Sequence, residues 1–508
     1  MHWADKIAQE IIASGKYKPY WVDDMKTPSG FAHIGSMLGP VIHSCIFRAL
    51  KDAGADGIFT FVINDFDHAD DIPDNLKEEF GKYLGMSLKM IPSPDPKYEN
   101  IADYFAADFT NSLKSLGVEA RIISSWELYH QGKFDGVIKM ALDNSEKIQE
   151  IYHKVSGSQK KEKGWLPFQV ICEKCKKLGT TRVYAWDGKE VSYKCEPNMV
   201  TWAQGCGYEG KVSPFGGNGK LPWKVDWAAH WKVIGITIEG AGKDHASAGG
   251  SYDIAMAICK EVFKYPEPFR LPYEFILIGG KKMSSSKGLG LKAHDLVKIL
   301  PAEVARFLFV NADIKSQSNF DPDGTMAIPD LFDEYDKARE EGSRSYVLSQ
   351  IGEVSRKEKN LTVPRFRDVA NYLSQGLAED EIAEKMGGKS SILGERIKYA
   401  KVWLENYAPS EFRFEMTKSI PEAAQKLSDE QKKYLGKIIP LIDRVKDGVE
   451  LQVSLYELSK TLKVPAKDAF SAIYLSLIGK THGPRAGVLI LNLGTDKVTE
   501  RLKEVSSL

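Results

Sequence analysis

Two glycine-bearing turns and one group of cysteines carry the residue types from which chemistry could be built. The first turn reads Thr27-Pro28-Ser29-Gly30-Phe31-Ala32-His33-Ile34-Gly35. Gly30 and Gly35 let the backbone come close to a ligand, and a helix starting there aims free N–H groups and its positive end at an anion. Ser36 follows directly, and His33 has a ring N–H to give a phosphate oxygen, although a purely structural turn histidine reads the same way. The second turn, Gly280-Lys281-Lys282-Met283-Ser284-Ser285-Ser286-Lys287-Gly288, follows the apolar strand signal Phe275–Ile278. A Gly/Ser loop carrying lysines can fold over a triphosphate and neutralise a departing pyrophosphate. A plain linker accounts for the glycines and serines but not for Lys-Met-Ser placed directly after a strand. Cys172-Glu173-Lys174-Cys175 brings two thiols together, and Cys195 and Cys206 follow in a Gly-containing stretch. Four thiolates around tetrahedral Zn²⁺ make a closed, structural site, whereas a redox CxxC needs a βα context that is missing here. The remaining two, Cys45 and Cys259, sit in apolar helical contexts and read as small core residues.

The elements that must position these residues alternate in the first third of the chain. Tyr20–Val22 is a strand candidate before the first turn, a helical pattern runs over 34–53, and a strand over Gly57–Ile63 ends on Asn64-Asp65-Phe66-Asp67. That order predicts a doubly wound parallel sheet, which binds ligands beyond the carboxyl ends of its strands. Polar linkers at 156–164 and 214–220 bracket the cysteines, a second strand–helix series covers 221–310, and from about 361 the pattern is mostly helical, with few strand signals until Val488–Leu491. Trp3, Ile7 and Ile11 stand at helical spacing with Asp5 and Glu10 between them, unlike a secretory signal or a transit peptide. No apolar run is long enough to cross a bilayer, so a cytoplasmic protein with no membrane partner is expected. With 508 residues, several modules are needed. Lys+Arg and Asp+Glu both number 69, so any affinity for nucleic acid must come from local patches.

Together, the His33-Ile34-Gly35 turn and the Lys282-Met283-Ser284 loop resemble the paired signatures of class I aminoacyl-tRNA synthetases. The resemblance extends to the class I lysyl-tRNA synthetase family through His2-Trp3-Ala4-Asp5, the Thr-Pro-Ser-Gly turn and Asp65-Phe66-Asp67. It continues through Leu221-Pro222-Trp223-Lys224-Val225-Asp226-Trp227, Gly242-Lys243-Asp244-His245 and Ala248-Gly249-Gly250-Ser251-Tyr252-Asp253. It implies a Rossmann-type core split by a zinc-bearing insertion and followed by an all-α region. The expected parts are 1–160 and 221–312 for the two halves of the catalytic core, 161–220 for the insertion, 313–360 for a connecting module and 361–508 for an anticodon-binding domain.

The implied substrates are L-lysine, ATP with Mg²⁺, and tRNA(Lys), handled by a monomer. By the resemblance, His33 stabilises charge on the α-phosphate while Lys282 and Lys287 hold the pyrophosphate. Gly30, Gly35, Ser36, Met283 and Ser284 bind ATP, and Asp244 takes the ribose hydroxyls. Thr27, Trp223, His245 and Tyr273 match the family's amino-acid pocket. A partly buried ammonium needs a carboxylate, and Asp226 is the chosen candidate, with Asp65, Asp23 and Asp24 nearby; any of them reads equally as a structural acid. The chain departs from the family pattern at Asp24-Met25, where Ser-Gly is usual, and at Ser36-Met37-Leu38-Gly39, where Asn, any residue, Arg-Glu is usual. Ser285 takes the place of a lysine in the second signature, which the neighbouring Lys287 offsets. Two alternatives remain open: a synthetase for another amino acid, glutamate first, and a tRNA-binding paralogue without catalysis.

Overall fold

Five short parallel strands order the first half of the molecule. The computed structural model describes every residue except 158–163, 281–290, 353–362, 411, 413 and 446. It divides into one unit made of Met1–Phe320 with Ala338–Arg356, and a second made of Asp321–Lys337 with Lys357–Leu508.

In the first unit the strands are β1 (Tyr20–Lys26), β2 (Gly57–Ile63), β3 (Arg121–Ser124), β4 (Ile238–Gly242) and β5 (Phe269–Tyr273), laid side by side as β5-β4-β1-β2-β3. All neighbours are parallel; Tyr20 pairs with Gly57 through to Lys26 with Ile63, and Asp23 stands beside Glu239. The doubly wound parallel sheet read from the sequence is therefore the architecture of this unit. Successive strands run outward from β1 in one direction up to β3 and in the other from β4 to β5. The order reverses between β1 and β4, and that is where an open sheet leaves a crevice.

The strand expected at Tyr20–Val22 runs four residues further. The strand takes in two acids, each with one carboxylate oxygen bonded locally. Asp23 accepts from the Thr60 hydroxyl and Asp24 accepts from the Met25 N–H at 2.8 Å. The helix expected over 34–53 is a 3₁₀ turn, Ile34–Met37, leading into α1 (Leu38–Asp52). Leu38, Val41, Ile42, Cys45, Ile46 and Ala49 on its inner face are buried, at the spacing that repeats every helical turn. Each aliphatic side chain so placed contributes about 1.5–3 kcal/mol by leaving water. Pro40 falls in the first turn of α1, where its missing N–H has no partner to lose. The opening helix, Trp3–Ser14, is present, but its buried stripe is Ala4, Ala8 and Ile11, with Trp3 and Ile7 only half-buried.

Between β3 and the helix α2 (Trp223–His230), the chain leaves the sheet. Thr181–Trp186, Val191–Cys195 and Glu209–Val212 form a small antiparallel sheet, and Gln169–Val170 pairs with Gly219–Lys220 across the base of this excursion. Ile276–Ile278 and Ser318–Phe320 make a separate parallel pair.

The second unit is helical. Helices such as Asp429–Arg444, Gly448–Thr461, Ala466–Ile478 and Thr495–Ser506 bury Tyr434, Ile438, Leu455, Ile473, Leu477 and Leu502 in one core. The strand signal at Val488–Leu491 is corrected: these residues belong to the helix Ala486–Leu493. A four-residue apolar run has no periodicity of its own, and here it is helical because it packs inside a helical core. Gly487 permits that packing, since a Cβ there would lie 2.2 Å from the Gly448 carbonyl oxygen. Among the described residues, no strand follows Phe320 and no helix is long and apolar enough to cross a membrane.

Candidate active site

A cleft of about 610 Å³ opens where the strand order reverses, beyond the carboxyl ends of β1, β4 and β5. Its lining includes Thr27, His33, Gly35, Ser36, Trp223, Asp244, His245 and Tyr273. These eight expected site residues come from four separate stretches of sequence, and the sheet brings them to one place. Gly30 is buried beneath the turn and is not part of the lining.

The first turn is held down from an unexpected direction. Ile34 N–H donates to the Leu291 carbonyl at 2.9 Å and Ala293 N–H to the Ala32 carbonyl at 2.8 Å, so His33 and Lys292 form an antiparallel bridge. Lys282, Met283, Ser284 and Lys287 lie outside the described residues. The residues on either side of their loop are anchored near the cleft: Gly280 N–H donates to Asn319 Oδ1 at 2.8 Å, and Leu291 and Ala293 pair with the turn carrying His33.

Gly39 sits at the tightest point of this half. A Cβ on it would stand 2.6 Å from the Tyr273 hydroxyl and 2.7 Å from Asp24 Oδ2, so any side chain here must displace both. The buried His43, one turn along α1, receives the Gly240 N–H on Nε2 at 2.7 Å and bonds the Gly39 carbonyl through Nδ1 at 2.8 Å. A ring that accepts on one nitrogen and donates on the other is neutral. It ties α1 to β4 across the crevice.

The acids fall into two groupings. Asp226 does not reach the cleft: it is 1% exposed and its carboxylate receives Lys220 Nζ at 2.6 Å and the Tyr129 hydroxyl at 2.5 Å. Lys220 also donates to Asp67 Oδ1 at 2.5 Å, and Asp67 Oδ2 receives the Thr27 hydroxyl at 2.5 Å. Burial alone pushes the Asp67 carboxyl up, but the Lys220 ammonium and the bonds from Lys220 and Thr27 outweigh it and hold Asp67 below the usual carboxylate range. Asp65 is taken up by the Ser124 hydroxyl at 2.6 Å and the Trp126 N–H at 2.8 Å.

The second grouping has no lysine. Glu239 lines the cleft floor with its two oxygens receiving the indole N–H groups of Trp227 at 2.7 Å and Trp231 at 2.5 Å. Burial, reinforced by the charge of Asp24 and opposed by these two bonds, pushes its carboxyl up to about 8. Asp23, its register partner, is fully buried with Oδ2 unbonded, and burial with the nearby Glu239 raises it well above its ordinary value. Glu239, Lys220 and His68 were not singled out from the sequence. Glu239 left one trace there, a lone acid inside the apolar stretch 236–241. Lys220 left none.

The described cysteines that were read as a metal site converge. The sulfurs of Cys172, Cys175, Cys195 and Cys206 all lie within 4.8 Å of one another, with Cys172–Cys206 and Cys175–Cys195 at 3.6 Å. Ligands about 2.3 Å from a tetrahedral zinc stand at about this separation, so the donor set fits. Cys45 and Cys259 are buried and free, as expected of core residues. The loop between Cys195 and Cys206 carries Trp202, which stacks on the cleft-lining His68 with ring centroids 5.3 Å apart.

Comparison with known proteins bears on both units. The family described as tRNA synthetases class I (K) matches residues 1–362, and the anticodon binding domain family matches residues 365–506. A lysine–tRNA ligase of Archaeoglobus fulgidus is 34% identical over 513 residues, covering 99% of each chain. Those of Methanosphaera stadtmanae and Methanocaldococcus jannaschii are each 32% identical, again over 99% of both chains.

Proposed function

The chain belongs to the class I tRNA synthetase (K) family, and on that premise we propose that it activates L-lysine with ATP and loads it onto tRNA(Lys). The observation that carries the reading is the convergence of Thr27, His33, Trp223, Asp244, His245 and Tyr273 on one cleft at the strand-order reversal. In the first step a lysine carboxylate oxygen bonds the α-phosphorus of ATP, which enters as its Mg²⁺ complex. The bond to the bridging oxygen breaks and pyrophosphate leaves with those electrons. In the second step the 2′-hydroxyl of the terminal adenosine of tRNA attacks the lysyl carbonyl and AMP departs.

The protein contributes positioning and charge stabilisation rather than covalent chemistry. His33 donates to the α-phosphate as charge builds there, Gly35 and Ser36 offer backbone beneath the phosphates, and Asp244 receives the ribose hydroxyls. Gly30, Lys282, Met283, Ser284 and Lys287 take their ATP and pyrophosphate roles from the family pattern. The cysteine cluster holds Zn²⁺, which supplies rigidity to the insertion, and the second unit receives the anticodon. The enzyme works as a monomer in the cytoplasm.

Lysine is favoured over glutamate by the lining itself. It presents the acids Asp24, Asp67, Asp70 and Asp244 against the lysine Lys26 and, among the described residues, no arginine. A side-chain carboxylate would meet like charge there, which costs affinity.

The test is amino-acid-dependent pyrophosphate exchange with all twenty amino acids, without and with total tRNA. Exchange with lysine is expected. Exchange with another amino acid keeps the class and replaces the substrate, and none with any amino acid favours the non-catalytic paralogue. Replacing His33 with Ala should slow exchange by about 10²–10³-fold, the usual cost of one charge-stabilising donor, with the fold unchanged by circular dichroism.

A further inference from the structure

Thr27 lines the cleft, and its hydroxyl has one proton to give. That proton goes to Asp67, which the hydroxyl meets at 2.5 Å, so towards the cleft Thr27 has only lone pairs to offer. Asp67 is held as an acceptor by Lys220 at 2.5 Å, and Lys220 is shared with Asp226 at 2.6 Å. Asp226 in turn receives Tyr129, whose oxygen accepts the Leu221 N–H at 3.3 Å. Every donor in this chain is committed in a single sense. Lys220 is 3% exposed, so water cannot stand in for either carboxylate.

We propose that Lys220 is a positioning residue which, through Asp67, makes Thr27 an obligate hydrogen-bond acceptor and so selects an ammonium group of the amino-acid substrate. The inference rests on the reading of this cleft as an amino-acid-activating site. An ammonium only donates, and it finds an acceptor whose proton is already spent. An amide or carboxylate oxygen at the same place finds no donor. A protonated Asp67 would break this selection, because Thr27 could then turn its proton into the cleft. Besides Thr27, the groups facing Asp67 are Lys220 and His68, with Asp70 beside His68 and with Asp226, Tyr129 and His230 behind Lys220. Burial lowers His68 below its ordinary value, which leaves Lys220 as the cation that counters Asp67. The residue that sets the polarity of Thr27 therefore does not come from the sheet that carries Thr27. It comes from the two-residue strand closing the cysteine-bearing insertion.

The experiment is calorimetric binding of L-lysine, L-norleucine (no side-chain ammonium) and 6-aminohexanoate (no α-ammonium) to the full chain between pH 6 and 8.5. The proteins are wild type, Lys220→Met, Lys220→Arg, Thr27→Val and Thr27→Ser. Wild type should bind lysine with little pH dependence in this range and disfavour one of the two analogues. Lys220→Met should bind lysine at least about tenfold more weakly, increasingly so as pH falls because Asp67, no longer held by a cation, then takes up its proton, and should lose the preference between analogues. Lys220→Arg should restore part of the affinity, and Thr27→Ser should keep what Thr27→Val loses. Should Lys220→Met fail to fold, the two Thr27 variants and Lys220→Arg carry the test. Lysine affinity within twofold of wild type in Thr27→Val, or an equal loss at every pH in a folded Lys220→Met, overturns the relay. A wild type that binds no lysine overturns the substrate assignment itself.

Discussion

The Lys220 grouping and the Glu239 grouping both bury carboxyl groups beside the same cleft, and they do so in opposite ways. Asp67 and Asp226 share one lysine and two hydroxyl donors, so Asp67 stays ionised below its usual range. Asp23 and Glu239 stand side by side on β1 and β4 with a threonine hydroxyl and two indoles but no cation, and both carboxyls are pushed up. Burial acts the same way on both. The partner decides whether the charge survives, because a buried anion without a counter-ion keeps its proton instead. One grouping therefore supplies fixed polarity to Thr27, and the other supplies a floor whose charge depends on pH.

The largest effect that would break this contrast is on stability. Lys220→Met leaves the buried Asp226 and the half-buried Asp67 without their cation and should cost about 3–5 kcal/mol in urea unfolding at neutral pH. A cost near zero would show that the Lys220 grouping is no more dependent on its cation than the Glu239 one. A smaller effect separates the two by pH. Asp67 is depressed, so its contribution is present above its unfolded value and is lost as pH falls through its folded value. Glu239 is raised from 4.5 to about 8, so its contribution is present below 4.5 and is lost as pH rises towards 8. Glu239→Gln should cost about 1–2 kcal/mol at pH 6, since one indole N–H loses its acceptor, and the gap to wild type should close by pH 9. A gap that widens with pH would mean that Glu239 is ionised throughout.

The contrast also predicts where metal removal is felt. Lys220 pairs with Gln169 three residues before Cys172, whereas Glu239 lies in the parallel sheet. Chelation should raise amide exchange at Leu221 by about tenfold while leaving Gly240 unchanged; metal analysis of the untreated protein should find one zinc per chain. The smallest effect is expected at Met25, which lines the cleft and receives Asn64 Nδ2 on its sulfur at 3.5 Å. Met adapts to gaps, so Met25→Gly should weaken lysine binding by about fivefold or less while admitting bulkier analogues.

Much of the candidate site was legible in the sequence because its parts are local devices. A Gly-rich turn before a helix, an acid just after a strand and a CxxC turn each have a function within a few residues. His33 and the four cysteines could be nominated in that way, whereas Thr27 and Asp244 were nominated through the family resemblance. Asp226 shows the limit. As an acid within an aromatic run it read as a contact for the substrate ammonium, but the ammonium it meets is Lys220, six residues away. Glu239 was passed over because a single acid in an apolar stretch gives no sign of the two indoles that receive it. The strand signal at Val488–Leu491 failed for a related reason, since an apolar tetrapeptide takes its conformation from the core it enters.

By itself the sequence determined the alternation of strands and helices, the positions of the two phosphate-type turns and the spacing of the thiols. Those follow from side-chain periodicity and backbone freedom over short distances, which are properties of neighbouring residues. Only the tertiary structure decided which acids are charged and which face the cleft. Thr27, Asp67, Tyr129, Lys220 and Asp226 are spread over about 200 residues of chain, and the charge on Asp67 depends on Lys220 and Thr27 being within hydrogen-bond reach at the edge of the cleft.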